Sequence, residues 1–588
     1  SGANASTTEY NFNLASVLSR SFDFRVRAVS TVGESPLASD VTTSLVDAPS
    51  QAPTLTAETT GARRIRGTFS DVERAEFYEV EYRATGTEDW LPGRYDLFST
   101  GESRLYDGGS VWEIYILEPE TSYQFRGRAV NDNGQSAWSD IASATTNPTQ
   151  LFMITNCVEL QNMGMQNGNP DQFLEDRYEL ANDIDCSDTV NWNDGKGFIP
   201  IGGAYGAFRG YFDGKNHTIS NIYINVDTLE IEDLDLDPYF TGHRPINPGL
   251  GVGIFRAASY SKINNVKLVN PMISGSYQMD PSSLDKFARL KYLPLGGIAP
   301  DFPDTVLEDL DRAIGRIPMM YVGSLVGFVN GSNSITNVSV ENGLVNGESA
   351  GMVTGGQFSL LHLQFFYTAK DVELGSNSTN LIMENIQTSG QVNGTVTGGV
   401  TGTVTNVLLD RNTKQTNIEF KNITSSAEVN GNIAGGIVGY GISNNSEWYL
   451  IPNIPFDESL EYIDSLSAEQ KITYYLSNNL PLTSYPMKIS NSSSSGSISS
   501  CNAPSGVRAG IAGGLVGFGS RVTVENSNSS SPISGCTNTD DDIGLHGGAM
   551  GGIAGALLFS QINNSTASGA ISLTNDRTEE QIAGTVVA

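Results

Sequence analysis

Three aspartates at alternate positions, Asp233, Asp235 and Asp237, form the clearest candidate for metal binding in this sequence. In an extended strand, side chains two residues apart lie on the same face, so three carboxylates would point in one direction. Ca²⁺ prefers several oxygen ligands of this kind. The stretch lacks the glycine and the distal glutamate of an EF-hand loop, so a solvated acidic loop is the alternative. Ca²⁺ is the one cofactor that the sequence suggests.

A second candidate for chemistry is the pair Asp213 and His217, which could supply a carboxylate and a base to a polysaccharide lyase or hydrolase. Asp213-Gly214 is also typical of an ordinary hairpin turn. The chain has four histidines, none of which begins a His-Glu-x-x-His zinc motif. No Ser/His/Asp or Cys/His grouping emerges either. We therefore expect a protein without enzymatic activity and keep the polysaccharide-active enzyme as the alternative.

The four cysteines suggest two disulfides, Cys157 with Cys186 and Cys501 with Cys536. The first two flank a short segment. The other two occupy matching places in neighbouring repeats, so stacked coils would bring their sulfurs close together. An even number of cysteines with a geometric reason to pair indicates an oxidising, secreted setting. Buried reduced thiols are the alternative.

The charge balance excludes several classes of partner. The chain has 588 residues, with 65 acidic side chains against 34 basic ones, and its net charge is −31. Binding to nucleic acid or to anionic membranes needs the opposite sign. No apolar run approaches the roughly 20 residues that span a bilayer. We expect an extracellular protein that binds no nucleic acid and does not insert into a membrane through this segment.

Eight copies of an apolar residue, a variable residue and an asparagine predict a repeat architecture. Most copies follow a glycine-rich apolar stretch such as Ala434-Gly-Gly-Ile-Val-Gly439. Asparagine tolerates the left-handed backbone of a corner, and stacked asparagines can bond amide to amide. We expect a parallel β-helix of three strands per coil, right-handed as parallel crossovers favour. The asparagines of the predicted ladder are Asn221, Asn265, Asn337, Asn385, Asn422, Asn491, Asn526 and Asn564.

The uneven spacing of the repeats indicates inserted loops. Three predicted insertions, 357–381, 403–416 and 440–486, follow the glycine-rich strand, and two others, near 226–250 and 276–320, leave from a different corner. Because equivalent corners of stacked coils lie on one side, the first three should form a lateral binding face. Trp448 and Tyr449 in the third insertion are the candidate residues for binding a glycan or a protein.

The N-terminal part has the pattern of an all-β sandwich. Tyr123 follows a Leu-x-Pro corner, the strand after it alternates apolar and polar residues, and Asn131-Asp-Asn-Gly134 makes a hairpin turn. Together these features resemble a fibronectin type III domain and its tyrosine corner. Phe22-Asp-Phe-Arg-Val-Arg-Ala28 repeats the second half of that pattern, so residues 1–46 resemble a partial domain.

The solenoid part resembles the GLUG-repeat proteins of bacterial surfaces, which fibronectin type III domains often accompany. The resemblance rests on the segments Phe198-Ile-Pro-Ile-Gly202 and Phe208-Arg-Gly-Tyr-Phe-Asp-Gly214, followed by the glycine-apolar-glycine motifs. We expect four parts: a partial sandwich over 1–46, a complete one over 47–148, a cap region over 149–225 and the repeats over 226–588. The last repeat stops at Ala588, so we expect a segment of a larger protein.

These observations favour a structural and interaction protein of the bacterial cell surface. We expect an adhesin stalk or fibre component whose lateral insertions bind an extracellular glycan or a surface protein. The alternatives are a β-helix polysaccharide lyase or hydrolase and a subunit that self-associates along the rod axis into a filament.

Overall fold

The structure is a computed structural model. It describes residues 21–24, 29–30, 33–34, 41–44, 48–92, 110–114, 117–131, 133–163, 174–202, 207–226, 251–276, 320–361, 379–408, 416–445, 487–500, 510–536, 549–558 and 560–574. The chain divides into two compact units at Pro148 and Thr149. The prediction of an all-β chain, with fibronectin type III-like sandwiches followed by a parallel β-helix, is confirmed. No helix in the described ranges is long and apolar enough to cross a membrane.

The complete sandwich consists of two antiparallel sheets. Its smaller sheet contains Glu58–Thr59, Ile65–Phe69 and Ser110–Ile114, and its larger sheet contains Phe77–Ala84, Leu91–Pro92, Ser122–Asn131, Gly134–Gln135 and Ala142–Thr145. The strands alternate buried and exposed residues because one face of each sheet covers the other. Trp112 and Phe125 pack at the centre, with their rings 4.8 Å apart.

The tyrosine corner lies where the sequence predicts it. The backbone N–H of Glu118 donates to the hydroxyl of Tyr123 over 2.9 Å, which closes the turn before the long strand. The predicted hairpin also forms, because Asn131 pairs with Gly134 in an antiparallel register.

The same pairing recurs in the described strands near the N-terminus, Ser21–Phe24, Val29–Ser30, Gly33–Glu34 and Val41–Ser44. Phe22 pairs with Thr43 as Tyr123 pairs with Ala144. Val29 likewise pairs with Glu34 in an antiparallel register. These strands are equivalent to the last strands of the complete sandwich.

The cap region begins the solenoid. It comprises strands Leu151–Ile154, Arg177–Leu180, Ile184–Asp185, Tyr211–Asp213, Thr218–Ser220 and Tyr223–Val226, helix Cys157–Gln161, and 3-10 helices Ser187–Asn191 and Asn193–Gly195. The helix starts at Asn156, whose side chain accepts from the N–H of Glu159, while the Glu159 carboxylate accepts from Thr155. This reciprocal capping explains why so short a segment is helical.

The coils stack in parallel and form two large sheets. A 26-stranded sheet starts in the cap region and follows the chain around successive corners, while a seven-stranded sheet closes the other side. The seven strands are Phe255–Ser259, Val326–Asn330, Thr354–Leu361, Thr401–Leu408, Val438–Asn445, Val516–Ser520 and Ala554–Leu558.

The 26-stranded sheet contains long strands, short corner pairs and single short strands. The long strands, which run through the asparagine corner, are Lys262–Val269, Asn333–Gly351, Thr379–Gly398 and Thr416–Ser425. The pairs that break at this corner are Met487–Ser490 with Ser493–Ser494, Val522–Glu525 with Asn528–Ser529, and Gln561–Asn563 with Thr566–Ala567. The single strands are Gly251–Val252, Met272–Gly275, Tyr321–Gly323, Glu428–Asn430, Ile433–Gly435, Ile498–Ser499, Ile511–Gly513, Ile533–Cys536, Ala549–Gly551 and Ile571–Thr574.

The expectation of three strands per coil is wrong. The pairings define five stacked columns of strand segments, because the chain bends within the glycine-rich stretch as well as at the predicted corners. In three Gly-Gly pairs the second glycine lies against a carbonyl oxygen of the next coil; these glycines are Gly399, Gly436 and Gly514. A Cβ at Gly436 would collide with the oxygen of Gly514, and one at Gly514 with that of Gly552. Glycine therefore permits the close stacking at this bend.

The core lies inside the coils. The apolar residue two positions before each corner asparagine is fully buried from Ile263 to Val524. Burial of one such side chain contributes about 1.5–3 kcal/mol. These residues form one continuous column, listed as Ile263, Ile335, Met383, Phe420, Ile489 and Val524.

The strands before the three predicted lateral insertions end at equivalent positions, because Leu361 pairs with Leu408 and Leu408 with Asn445. Each strand extends into the predicted start of its insertion, at residues 357, 403 and 440. The reason is that in-register pairing with the neighbouring coil continues the sheet. The remainder of these insertions lies outside the described residues.

Candidate functional site

The main constellation of polar residues in the solenoid is a ladder of side chains at one corner. Asn265 donates to Asp213, Asn337 to Asn265, Asn385 to Asn337 and Asn422 to Asn385, over 2.9–3.0 Å. In every bond the Nδ2 of the later coil donates to the Oδ1 of the earlier one. Bonds aligned in this way polarise one another. The predicted asparagine ladder therefore exists here as a directed chain of hydrogen bonds.

The backbone explains why asparagine occupies this corner. Every residue of the predicted ladder has a positive φ, from 46° at Asn564 to 59° at Asn221. Asparagine adopts this left-handed conformation more readily than other residues with a side chain. Its amide also reaches the equivalent amide one coil away, so a single residue type meets both requirements.

Asn221 does not belong to this ladder, which corrects the sequence prediction. Residues 218–220 pair with 267–269, so Asn221 stacks under Asn270 at the next corner. Asn270 donates to Asn221, and Asn221 donates to Asp185. The tripeptide at Asn221 matches the repeat, but the first corner of that coil directly follows Asp213, which aligns with Asn264. Both ladders thus begin at an aspartate, whose side chain accepts hydrogen bonds and has no N–H to donate.

A third ladder was missed by the sequence reasoning. Asn430 donates to Asn393, Asn393 to Asn346, and Asn346 to the hydroxyl of Ser274. The signal was present in the repeated x-Val-Asn-Gly pattern at residues 391–394 and 428–431. The pattern is typical of a strand, and only the stacking of the coils shows that its asparagines bond to one another.

The last coils use serine at the asparagine corner. The residue after Asn491 is Ser492, and Ser527 and Ser565 are its equivalents. Each hydroxyl accepts a hydrogen bond from a backbone N–H of the preceding coil, over 3.1–3.2 Å. The N–H of Ile423 donates to Ser492, that of Ser492 to Ser527 and that of Ser527 to Ser565. Each hydroxyl also donates to the carbonyl two residues earlier, which clamps its own corner.

The side chains of Asp213 and His217 have different partners. His217 Nδ1 lies 3.2 Å from a carboxylate oxygen of Asp183, and the oxygens of Asp213 contact Asn265 and Lys215. Burial alone would raise the pKa of Asp213, but hydrogen bonds from Asn265 and Lys215 outweigh it and lower that pKa. This keeps Asp213 ionised as a hydrogen-bond acceptor. Asp213 thus has a structural partner in Asn265, and His217 has one in Asp183.

The other ladder aspartate is also held as an anion. The Asn221 amide, followed by the backbone N–H of Ser187, lowers the pKa of Asp185. In the same way the N–H of Thr218, followed by His217, lowers the pKa of Asp183. Fixed carboxylates at the first coil give both amide ladders a charged terminal acceptor.

The predicted calcium residues Asp233, Asp235 and Asp237 lie outside the described residues, as do the predicted binding residues Trp448 and Tyr449. Within the described ranges, no group of three or more His, Cys, Asp or Glu side chains is placed to hold a metal ion. Both hypotheses stay predictions.

The first predicted disulfide is present. Cys157 and Cys186 are bonded, with their Cα atoms 5.4 Å apart, and join the cap helix to the following 3-10 turn. For the second pair, Ser499 aligns with Ser534 two residues before the cysteines. Cys501 lies outside the described residues, so this disulfide stays a prediction.

The sandwich carries a stack of rings and cations that the sequence reasoning also missed. The Arg126 guanidinium lies 4.3 Å from the ring of Trp90 and 4.5 Å from that of Trp138, and Arg128 lies 4.3 Å from Trp138. Both arginines form ion pairs with glutamates of Phe77–Ala84. Such contacts contribute about 0.5–1 kcal/mol each at exposed sites and tie neighbouring strands together.

The fold and the corner ladders define a multidomain protein in which β-sandwiches precede a parallel β-helix. No family model matches the chain. A 64-residue stretch, 10% of the chain, is 42% identical to halomucin of Haloquadratum walsbyi, of which it covers 1%.

Among solved structures, titin kinase with its flanking domains matches at 23% identity, with a TM-score of 0.14, over 17% of this chain and 18% of that one. The first three fibronectin domains of chicken CNTN1 match at 19% identity, with a TM-score of 0.16, over 22% of this chain and 43% of that one.

Proposed function

We propose that this chain is a segment of a large extracellular surface protein in which the β-helix serves as an adhesin stalk or fibre component. The lateral insertions would bind an extracellular glycan or a surface protein. The resemblance to GLUG-repeat surface proteins and the local similarity to halomucin support this proposal.

The observation that carries the proposal is the unbroken ladder from Asp213 to Asn422. It crosses coils separated by 72, 48 and 37 residues, so the corner is kept in register although the chain between corners varies greatly in length. A scaffold that holds register while it accepts long insertions suits a stalk that presents binding loops.

Two further observations support an extracellular setting. The Cys157–Cys186 disulfide is of the kind that persists in oxidising compartments. The net charge of −31 favours solubility and repels anionic surfaces. The enzyme alternative has less support, because Asp213 and His217 have structural partners.

The binding role is tested on the full chain attached to beads. Beads carrying the wild-type chain are flowed over arrays of extracellular glycans and surface proteins, and the double variant Trp448→Ala/Tyr449→Ala is compared with it. We expect retention of the double variant to fall at least about tenfold, because aromatic anchors dominate such contacts. The matched control Tyr211→Ala removes an aromatic ring from the cap region and should retain wild-type binding.

Equal retention of the double variant and the wild type would contradict binding through the third insertion. Turnover of acidic polysaccharides by the purified chain, lost in Asp213→Asn with the fold intact, would instead establish the enzyme alternative. Circular dichroism of each variant separates a lost contact from a lost fold.

A further inference from the structure

The cap region contains a cavity of about 630 Å³ that neither the ladders nor the predicted binding face uses. Its wall is mostly apolar and includes Val158, Met163, Trp192 and Ile199. Val158 and Ile199 are 55% and 50% exposed, so the apolar surface continues onto the outside of the molecule. Apolar cavities of this size with a few polar groups are the usual form of small-molecule sites.

The cavity is held open by bonds between its walls. The Gln161 side chain donates to the carbonyl of Ile199 over 2.9 Å and accepts from the N–H of Ile199 over 2.7 Å, which joins the helix to the opposite segment. The disulfide fixes the start of the same helix. At the other wall, the N–H of Arg256 donates to the carbonyl of Ile201. The site is therefore preformed, which lowers the entropy cost of binding.

Arg256 supplies the only charged side chain in the described lining of the cavity. Its Nε is buried and lacks a hydrogen-bond partner, and the guanidinium forms no ion pair with any residue in the described ranges. Burial lowers the pKa of this guanidinium, with no carboxylate opposing that effect. Arg256 is half-buried, its Nε is enclosed, and no carboxylate of the described residues balances its charge, which is a costly arrangement for a cation.

From this combination we propose that the cap cavity binds a small organic anion whose aromatic or branched apolar body packs against Trp192 and Met163 and whose carboxylate or sulfonate pairs with Arg256. Two oxygens of a carboxylate or of a sulfonate match the fork of guanidinium N–H donors. The anion would pair with the half-buried guanidinium, and its apolar body would cover the exposed surface at Val158 and Ile199.

The test uses anilinonaphthalene sulfonate, which combines an aromatic body with one anionic group, and the full chain. We expect a saturable site with one probe bound per chain, measured by probe fluorescence and by quenching of tryptophan emission. Arg256→Met should weaken this binding at least about tenfold, the effect of losing a hydrogen bond to a charged group. The neutral probe phenylnaphthylamine should bind the wild type and Arg256→Met equally.

Two further variants keep the outcome interpretable. Ile199→Glu places an anion at the exposed rim, where folding tolerates it. It should lower the affinity for the sulfonate probe but not the affinity for the neutral one. The matched control Arg177→Met removes an exposed arginine of the same region and should leave both affinities unchanged. Wild-type sulfonate affinity in Arg256→Met, or an equal loss of both probes in that variant, would overturn the proposal.

Discussion

The asparagine corner is bonded differently in the early and late coils of the solenoid. From Asp213 to Asn422 the side chains form a continuous ladder. At Asn491, Asn526 and Asn564 the backbone is equally left-handed, yet no amide-to-amide bond joins these residues among those that the structure describes. There the serine after each asparagine accepts an N–H from the preceding coil instead.

The residue after the asparagine determines which arrangement forms. In the early coils it is a buried valine or isoleucine, such as Val338 or Ile423, and the strand continues through the corner. In the late coils it is serine, whose hydroxyl takes the place of a backbone carbonyl as acceptor, and the strand breaks there. One corner geometry can thus be stabilised by side-chain amides or by hydroxyls, and a neighbouring residue selects between them.

The largest expected difference between the two regions is at the asparagine itself. Asn385→Ala forces alanine into a left-handed corner and removes two amide bonds, so unfolding should become easier by about 3–4 kcal/mol. In Asn526→Ala only the cost of placing alanine in left-handed backbone applies, so the free energy of unfolding should fall by about 1–2 kcal/mol. Urea unfolding with hydrogen exchange of each coil measures both. Glycine at the same positions serves as the control, because glycine adopts left-handed backbone without that cost. Equal losses of unfolding free energy in the two alanine variants would refute the comparison.

The second expected effect is at the late corner. Ser527→Ala leaves the N–H of Ser492 without its acceptor and removes the bond to the Glu525 carbonyl, at a cost of about 2 kcal/mol. Hydrogen exchange should show the loss in the coils around residue 527. Ser572→Ala, which removes only a long bond of 3.5 Å, is the near-neutral control. An unchanged stability and hydrogen exchange in Ser527→Ala would mean that the serine hydroxyls do not stabilise the late corner in place of the asparagine amides.

A third effect should stabilise the early region. Gln357 lies in the seven-stranded sheet between Val329 and Val404, and both polar atoms of its side chain are buried without a partner. Gln357→Leu removes that penalty and should raise the free energy of unfolding by about 1–2 kcal/mol. Thermal melting followed by far-ultraviolet circular dichroism tests this. A lower melting temperature would contradict it and would indicate an ordered water at the amide.

The smallest effect concerns pH. The pKa of Asp213 is lowered in the folded state, so its contribution is complete above the ordinary value of 3.8 and is lost as the pH falls through the lower folded-state pKa. Because this carboxylate is partly exposed, the loss should be below about 1 kcal/mol. In acid, protection from hydrogen exchange should fall more at residues 262–270 than at residues 522–534. Asp213→Asn should reduce this difference, and an identical acid response in both regions would contradict it.

Much of this architecture could be read from local patterns. The corner asparagines, the glycine bend and the sandwich's Tyr123 each follow from what one residue type does to its own backbone or turn. Asp213 could not be interpreted in that way, since an Asp-Gly turn with a nearby histidine is compatible with a ladder end and with a catalytic carboxylate. Only its contact with Asn265 distinguishes the two roles.

The sequence by itself determined that the chain is an all-β repeat protein whose corners are formed by asparagine, because left-handed backbone and buried apolar periodicity are local properties. The tertiary structure decided which asparagines share a column. Register depends on how coils separated by 72, 48 or 37 residues stack, and no fixed period in the sequence encodes that stacking. For this reason Asn221 lies above Asp185 at a different corner, although its tripeptide matches the other seven.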